Sequence, residues 1–537
     1  PVPAHAQLSR CALWERRGDK VSDTPTRTRS ERRRRQQALV KEQKKQGRYY
    51  PSSTTLPNRK SDLKTVNDEQ EAIGRTTEEQ LKVYKRLLPG LLKRINRIPD
   101  PRHPKKVKHQ MDVLMLYGIF MFVFHLPSRR EANRELTTPQ LMTNLQAVFP
   151  ELTDLPHQDT LCRLLEALDV DQIETVYTRL LKQLIQKKTF QDLLLDKRYV
   201  VAVDGTQKYK MDDCWDERYL RRKLVHQDGT HTFQYYAYVL EAVLILNNGM
   251  VLPLVSEFLE NSPELEAIEN EAKWKQDCEL KAFHRLADRL KRLFPRLPIT
   301  LLLDGLYANG PVLQSLRNKR WQFMIVLKEG SLPSVWKEAH ALLKLNPSAT
   351  YEKRWQGREQ RFRWVNDLEY TYGTQGRHTQ TLHVVTCEER WEEVDRDGNI
   401  VVKTKHHAWI SSQPLHKKNV HKRCNLVARK RWLQENNILK EKHQGYQYDH
   451  IFSYDWNAMR GYHYLMHIAR MMNELALHAL PLLEHVKEVG VRAFIRQFRE
   501  VMSHRELDLG RIRRLLTRRY QLRLVREGDG LDRRQGA

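Results

Sequence analysis

The chain has 537 residues, with 93 Lys and Arg against 66 Asp and Glu, for a formal net charge of +27. That length allows roughly two to four domains with a full core, and so large a cationic excess favours polyanion partners through counterion release. Six cysteines without a CxxC or a Cys/His cluster at zinc spacing argue against a structural zinc and against a disulfide framework.

Residues 1–60 are polar and basic, with the run Arg32-Arg-Arg-Arg35, and predict a largely disordered tail with a short basic helix around 28–46. Residues 61–197 turn helical, with helices expected at 77–95, 110–125, 138–148, 158–168, 171–187 and 189–195; Thr77 and Asp171 are candidate caps. This helical amino-terminal domain is a candidate DNA-binding region, and equally a layer packed on a catalytic domain. The apolar run Leu114–Leu126 is too short to span a bilayer and predicts a buried helix, so no membrane partner is expected. The expected compartment is a reducing cytoplasm.

Residues 198–349 put strands first. Strands are expected at 199–204, 233–246 and 250–258, with Asn247-Asn-Gly249 marking a hairpin. A charged helix at 264–293, a strand at 298–304, a helix at 310–318, a strand at 322–327 and a helix at 333–344 follow. The order βββαβαβα fits an α/β mixed sheet whose first three strands are antiparallel and whose later strands return by helical crossovers. Residues 350–412, rich in Trp, Tyr and Thr with alternating polarity, predict a β-rich insertion. Residues 413–484 resume helices at 419–442 and 456–484, and 485–537 form a basic helical tail.

Two aspartates close apolar runs: Asp204 follows Tyr199-Val-Val-Ala-Val, and Asp304 follows Ile299-Thr-Leu-Leu-Leu. Each reads as a buried strand delivering a carboxylate to the sheet edge. Downstream, Arg431, Glu435 and Lys442 stand at x3 and x6 spacing; at about 100° per residue they fall within roughly 40° on one helix face. Asp204, Asp304 and Glu435 together can hold two Mg²⁺ ions, with Mn²⁺ a possible substitute, and the neighbouring cations Arg431 and Lys442 can hold DNA phosphates. Asp204 is the candidate bridging ligand. Taken singly, an Asp-Gly pair is often only a turn and an Arg/Glu pair four apart a surface helix pair. Glu257 and Glu260 are candidates for a fourth carboxylate, and His226 and His231 for contacts to DNA or metal. Trp215, Trp274, Trp321 and Trp336 are expected in the core, while Trp355 or Trp364 could stack on a base.

Arg431-x3-Glu435-x6-Lys442, with Val203-Asp204-Gly-Thr206 and Leu303-Asp304-Gly-Leu-Tyr-Ala-Asn-Gly310, resembles the acidic blocks of bacterial insertion-sequence DDE transposases of the RNase H-like superfamily, in the branch with a β-strand insertion before the glutamate. Upstream, Asp100-Pro-Arg-His-Pro-Lys105 and Ser128-Arg-Arg-Glu131 resemble their helical region, and the likeness spans about residues 90–480. The branch carries Tyr-x2-Arg-x3-Glu-x6-Lys; here Ala428 stands at the tyrosine position, which puts hairpin-type chemistry in doubt. The resemblance implies an RNase H-like sheet and metal-dependent cleavage of double-stranded DNA at terminal inverted repeats. It also implies strand transfer to target DNA and a homodimer on DNA. An RNase H-like nuclease without strand transfer, or a non-catalytic domesticated relative, are the alternatives.

Overall fold

The computed structural model describes residues 28–50, 56, 60–146, 148–149, 152, 154–261 and 276–526. These fall into two compact units: a smaller one of residues 28–50 with Glu352–Arg361 and Glu388–His406, and a larger one containing the rest.

In the smaller unit, helix α1 (Arg29–Lys45) occupies the stretch where a short basic helix is expected. Thr28 caps it in a reciprocal box with Glu31. Arg35 Nη1 donates to Gly398 O at 3.1 Å, and the buried Glu389 accepts from Arg358 at 2.8 Å and from Gln360 at 2.5 Å.

The larger unit begins with helices α2 (Val66–Ile95), α3 (Met111–Val123), α4 (Arg129–Leu136), α5 (Pro139–Leu145), α6 (Gln158–Ala167) and α7 (Asp171–Gln186). The cap expected at Thr77 lies elsewhere. Thr65 and Asp68 form the capping box, and Thr77 sits inside the helix, its hydroxyl donating to Ile73 O at 3.0 Å. Helix α4 starts at Ser128, whose hydroxyl accepts from Glu131 N. The expected helix at 189–195 shrinks to a 3-10 turn over Gln191–Leu193. Helix α3 is apolar on every side and buried, as its 13-residue run predicts. A Cβ at Gly118 would stand 2.7 Å from Leu465 and 2.8 Å from Leu161, so glycine is what lets α3 approach its neighbours. Among the described residues no helix is long and apolar enough to cross a membrane.

The sheet follows: β1 (Tyr199–Met211), β2 (Leu220–Val225), β3 (His231–Ile245) and β4 (Val251–Leu259), then α8 (Glu279–Leu293), β5 (Ile299–Leu303), α9 (Gly310–Asn318), β6 (Gln322–Val326) and α10 (Pro333–Leu345). Strands β4, β3 and β1 pair antiparallel, and β1, β5 and β6 pair parallel. This is the mixed arrangement that the element order predicts. Strand β2, a hairpin partner of β3, has no counterpart in the expected pattern. Of the expected 264–293 helix, residues 276–293 are described; 276–278 are not helical, with Cys278 as the extended cap, and α8 takes up Glu279–Leu293. Beyond β6 the sheet continues in the order β10 (Ile400–Ser411), β9 (His378–Val394), β8 (Arg358–Tyr372), β7 (Thr350–Trp355).

The expected 419–442 helix is broken. A π-helical turn over Lys422–Val427 and a 3-10 turn over Ala428–Arg431 precede α11 (Trp432–His443). Helix α12 (Trp456–Leu477) is buried along nearly all its length. Three short helices close the unit: α13 (Leu483–Val489), α14 (Val491–His504) and α15 (Leu509–Thr517). Helices α11 and α12 are joined by a buried charge pair. Arg470, 2% exposed, donates to Glu441 Oε1 at 2.5 Å and also to Asn437; Glu441 is 0% exposed. Leaving either charge alone in that interior costs far more than the pair itself contributes. Arg470→Met should therefore lower stability by about 3–5 kcal/mol. Adding Glu441→Gln should return part of that loss in equilibrium denaturation. A single variant as stable as the parent would show that the pair does not hold the two helices.

Candidate active site

Asp204 lies in mid-strand rather than at a strand end, because β1 runs on to Met211. Its neighbour β5 stops at Leu303, so the sheet narrows beside Asp204. Ala202 pairs with Leu302 in parallel register. Asp204 and Asp304 each follow this pair by two residues, Asp204 still within β1 and Asp304 just past the end of β5, where it caps a 3-10 turn. The buried runs before each aspartate anchor the strands, and the loss of β5 opens the place where the carboxylates project.

Glu435 arrives on the first turn of α11. Arg431, just ahead of it, is 7% exposed and donates to Glu435 Oε1 at 2.6 Å, leaving its own Nε without a partner. At the other end of the helix Lys442 Nζ donates to Gln207 O at 2.9 Å, fastening α11 to β1 beside the bulge between Gln207 and Tyr209. The three motif residues thus run from the turn before α11 to its last turn, and the helix is fastened to β1 at its far end.

The carboxylates sense one another. Burial raises the Asp204 carboxyl to about 6; Arg431 pulls it down, while the charges of Glu435, Asp304 and Glu279 push it up. Asp304 accepts from Leu306 N at 2.9 Å and from the exposed Lys328 at 3.2 Å. The site therefore gathers Asp204, Asp304 and Glu435 without drawing them into a closed cage. Among the described residues, the trio whose ligand atoms all lie within 4.8 Å of one another is instead Glu241, His463 and His467. That trio is buried core: Glu241 accepts from Tyr448 Oη at 2.7 Å, feels the ammonium of Lys208, and forms part of the packing beneath α12.

The fourth acid is one that sequence reasoning missed. Glu279 is the first residue of α8; it accepts from Tyr238 Oη and, at 3.2 Å, from Tyr307 Oη. In the expected 264–293 helix Glu279 is one of many mid-helix charges, so nothing in its spacing set it apart. The acids proposed for this role are placed differently. Glu257 is bound to Arg285 at 2.6 Å and Arg289 at 2.7 Å, and the exposed Glu260 lies beyond the end of β4.

Asp204-Gly205 lies within β1, whereas Asp304-Gly305 opens a 3-10 turn over Gly305–Tyr307, and at both pairs space is tight. A Cβ at Gly205 would stand 2.8 Å from the Tyr238 ring and 2.9 Å from Glu279 Cδ, and one at Gly305 would stand 2.8 Å from the Lys328 side chain.

The other candidates separate. His226 and His231 flank the exposed β2–β3 turn, where His226 pairs with Thr232 at 3.0 Å. Trp364 is 7% exposed and packed in the core, so it offers no face to a base; Trp355 is half-buried. Trp321 is buried and Trp336 half-buried, its indole N–H donating to Lys328 O at 2.9 Å. Trp215 is no core residue: at 58% exposure it stacks on Tyr454 with ring centroids 4.5 Å apart. Trp274 lies outside the described residues. Ala428 is buried with Cys424 and Val427, so the position of the motif tyrosine faces the core.

Comparison with known proteins adds one finding. Residues 92–181, from the end of α2 into α7, match the family model described as DDE_Tnp_1-associated. Over that helical stretch the chain is similar to proteins associated with DDE-type transposases, which points to a transposase-related role. No curated protein matches the chain.

Carboxylate oxygens suit hard divalent ions such as Mg²⁺, and the raised Asp204 carboxyl marks a site whose negative charges lack full compensation. The sign follows. A folded-state value near 6, against an ordinary 3.8, gives stability that is present below pH 3.8 and lost as pH rises through 6. At neutral pH the ion-free site should thus cost on the order of 3 kcal/mol. Asp204→Asn should melt higher than the parent at pH 7 without divalent ions and should lose any Mg²⁺-dependent rise in melting temperature. Identical melting curves for the two proteins, with and without Mg²⁺, would remove the ion site.

Proposed function

We propose that this chain is a DDE-type transposase whose catalytic sheet is RNase H-like. It would cut double-stranded DNA at the terminal inverted repeats of an element and join the freed 3′ hydroxyl to target DNA, acting as a homodimer when bound. The observation that supports the reading is that Asp204 on β1 and Asp304 just past the end of the parallel-paired β5 each follow the Ala202–Leu302 pair by two residues, with the charges of Asp304 and Glu435 both acting on Asp204. The strand order β4-β3-β1-β5-β6 and the transposase-associated match over residues 92–181 support it.

Two Mg²⁺ ions, or Mn²⁺ in their place, would supply an activated nucleophile and a stabilised leaving oxygen. Asp204 would bridge the ions, Asp304 would hold one and Glu435 the other. Arg431 holds Glu435 in position and sets a guanidinium charge beside the carboxylates. Lys442 sets the helix against β1 and adds positive charge beneath the backbone. With the tyrosine position turned into the core at Ala428, the grip on the cut end would rest more heavily on these two cations.

Affinity for DNA comes chiefly from cations, and chemistry from the carboxylates. Asp304→Ala should therefore abolish strand nicking in Mg²⁺ while retaining labelled DNA ends in a gel. Equal loss of both activities would make Asp304 a structural residue. Nicking without joined products, in the parent protein supplied with target DNA, would reduce the assignment to a nuclease.

A guanidinium offers two parallel donors where an ammonium offers a point charge. Arg431→Lys should slow nicking by at least tenfold, an effect of about 1.4 kcal/mol on the barrier. Wild-type rates for both Arg431→Lys and Lys442→Ala across a salt series would make the motif accidental.

A further inference from the structure

We propose that a groove remote in sequence from the acidic motif, formed by α2, the end of α7 and the arm that follows α15, is a binding site for the phosphate backbone of DNA. This groove has a volume of about 1530 Å³, larger than the roughly 300–1,000 Å³ of small-ligand pockets. Its lining includes ten Lys and Arg but only one acid, Asp192, which Arg526 already holds at 2.5 Å. At the chain's own ratio of 66 acids to 93 cations, ten cations would bring about seven acids. Six of the ten, Arg86, Lys187, Lys188, Arg518, Arg519 and Arg523, are exposed and have no acid partner among the described residues.

The groove is also held in shape. After α15 the chain does not fray from the body. Leu480 N donates to Arg523 O at 2.9 Å, Val525 N to His478 O at 2.9 Å, and the Asn248 side chain to Val525 O at 2.9 Å. Across from it, α7 ends at Gln186 with Lys187 as its cap, and the chain reverses through Lys188 at φ +58°. Cations at a helix carboxy terminus are favoured by the dipole, which accounts for Lys187 and Lys188 alone. No such term places Arg518, Arg519 and Arg523 on an extended arm facing them. Fixing cations before a polyanion arrives reduces the ordering cost of binding. The choice of DNA among polyanions rests on the transposase reading; the groove itself rests on charge and geometry.

The test uses the full chain and a fluorescent duplex of about 30 base pairs, with retention measured across a salt series. The quadruple variant Lys187→Gln, Lys188→Gln, Arg518→Gln, Arg519→Gln should bind at least tenfold more weakly. Its plot of log affinity against log salt should be shallower by about three to four, since each lost phosphate contact removes about 0.9. The pair Arg86→Gln, Arg523→Gln should remove about half as much slope, and it stands in if the quadruple variant fails to fold. A control with the same charge change elsewhere, Arg292→Gln, Arg296→Gln, Lys337→Gln, Lys344→Gln, should keep the parent slope. Equal loss in the control, an unchanged slope in the groove variants, or tighter retention of duplex RNA than DNA would overturn the assignment. Asp304→Ala separates the two readings: if it retains DNA with the parent slope but cannot nick, the groove stands whatever the fate of strand transfer. A parent protein that retains no duplex overturns both.

Discussion

The sheet-bearing part of this protein depends on how a charged helix is buried. Helix α11 carries Glu435 at its exposed start and Glu441 at its hidden end, and the hidden end is neutralised by Arg470 of α12. A lone carboxylate in that interior would carry a penalty of several kcal/mol, so the pair fixes which face of α11 turns inward. Lys442 adds a second fastening, to the carbonyl of Gln207 on β1. With two points fixed, the first turn of the helix can stand only beside Asp204. The position of Glu435 is thus a consequence of burial six residues away.

The site is built by subtraction as much as by addition. Strand β5 ends one residue before Asp304, leaving Asp204 uncovered on a strand that continues. Glycine at 205 and 305 removes the Cβ atoms that would meet Tyr238, Glu279 and Lys328. The π and 3-10 turns before α11 release the helix from the line of the preceding segment. Departures from regular helix at such places are common near functional residues, because they re-aim a side chain without rebuilding the core. The result is a site in which the charges of Glu435, Asp304 and Glu279 all act on the half-buried Asp204, in a chain otherwise rich in positive charge.

Such an arrangement divides labour by charge. Acids concentrated at one edge of the sheet suit divalent ions, while the cationic excess is distributed over helices and the carboxy-terminal arm. Arg431 stands between the two, tied to Glu435 with one donor still unmatched. The helical segment similar to transposase-associated proteins, residues 92–181, packs its apolar α3 against α12 through Gly118 and so shares a core with the sheet.

Much of this was legible in the residues themselves. Period-two and buried apolar runs mark β1, β3, β4, β5 and β6, because a strand between neighbours must be apolar over its length. Their order with the intervening helices dictates the mixed pairing. The two aspartates and the Arg431–Glu435–Lys442 spacing were visible for the same local reason. What no local pattern could carry was decided by packing. The continuation of β1 past Asp204 depends on a long pairing with β3. The break at residues 422–431 interrupts a sequence with unbroken helical periodicity. Glu279, an ordinary mid-helix acid in the expected 264–293 helix, joins the site only because α8 starts there and is laid against β3 and β4. Glu257, a promising acid by position, is consumed by Arg285 and Arg289. Sequence by itself determined which elements form and which residues could do chemistry, since those follow from short-range periodicity and side-chain type. Tertiary structure decided which acids meet, since that depends on the partners a side chain finds across hundreds of residues.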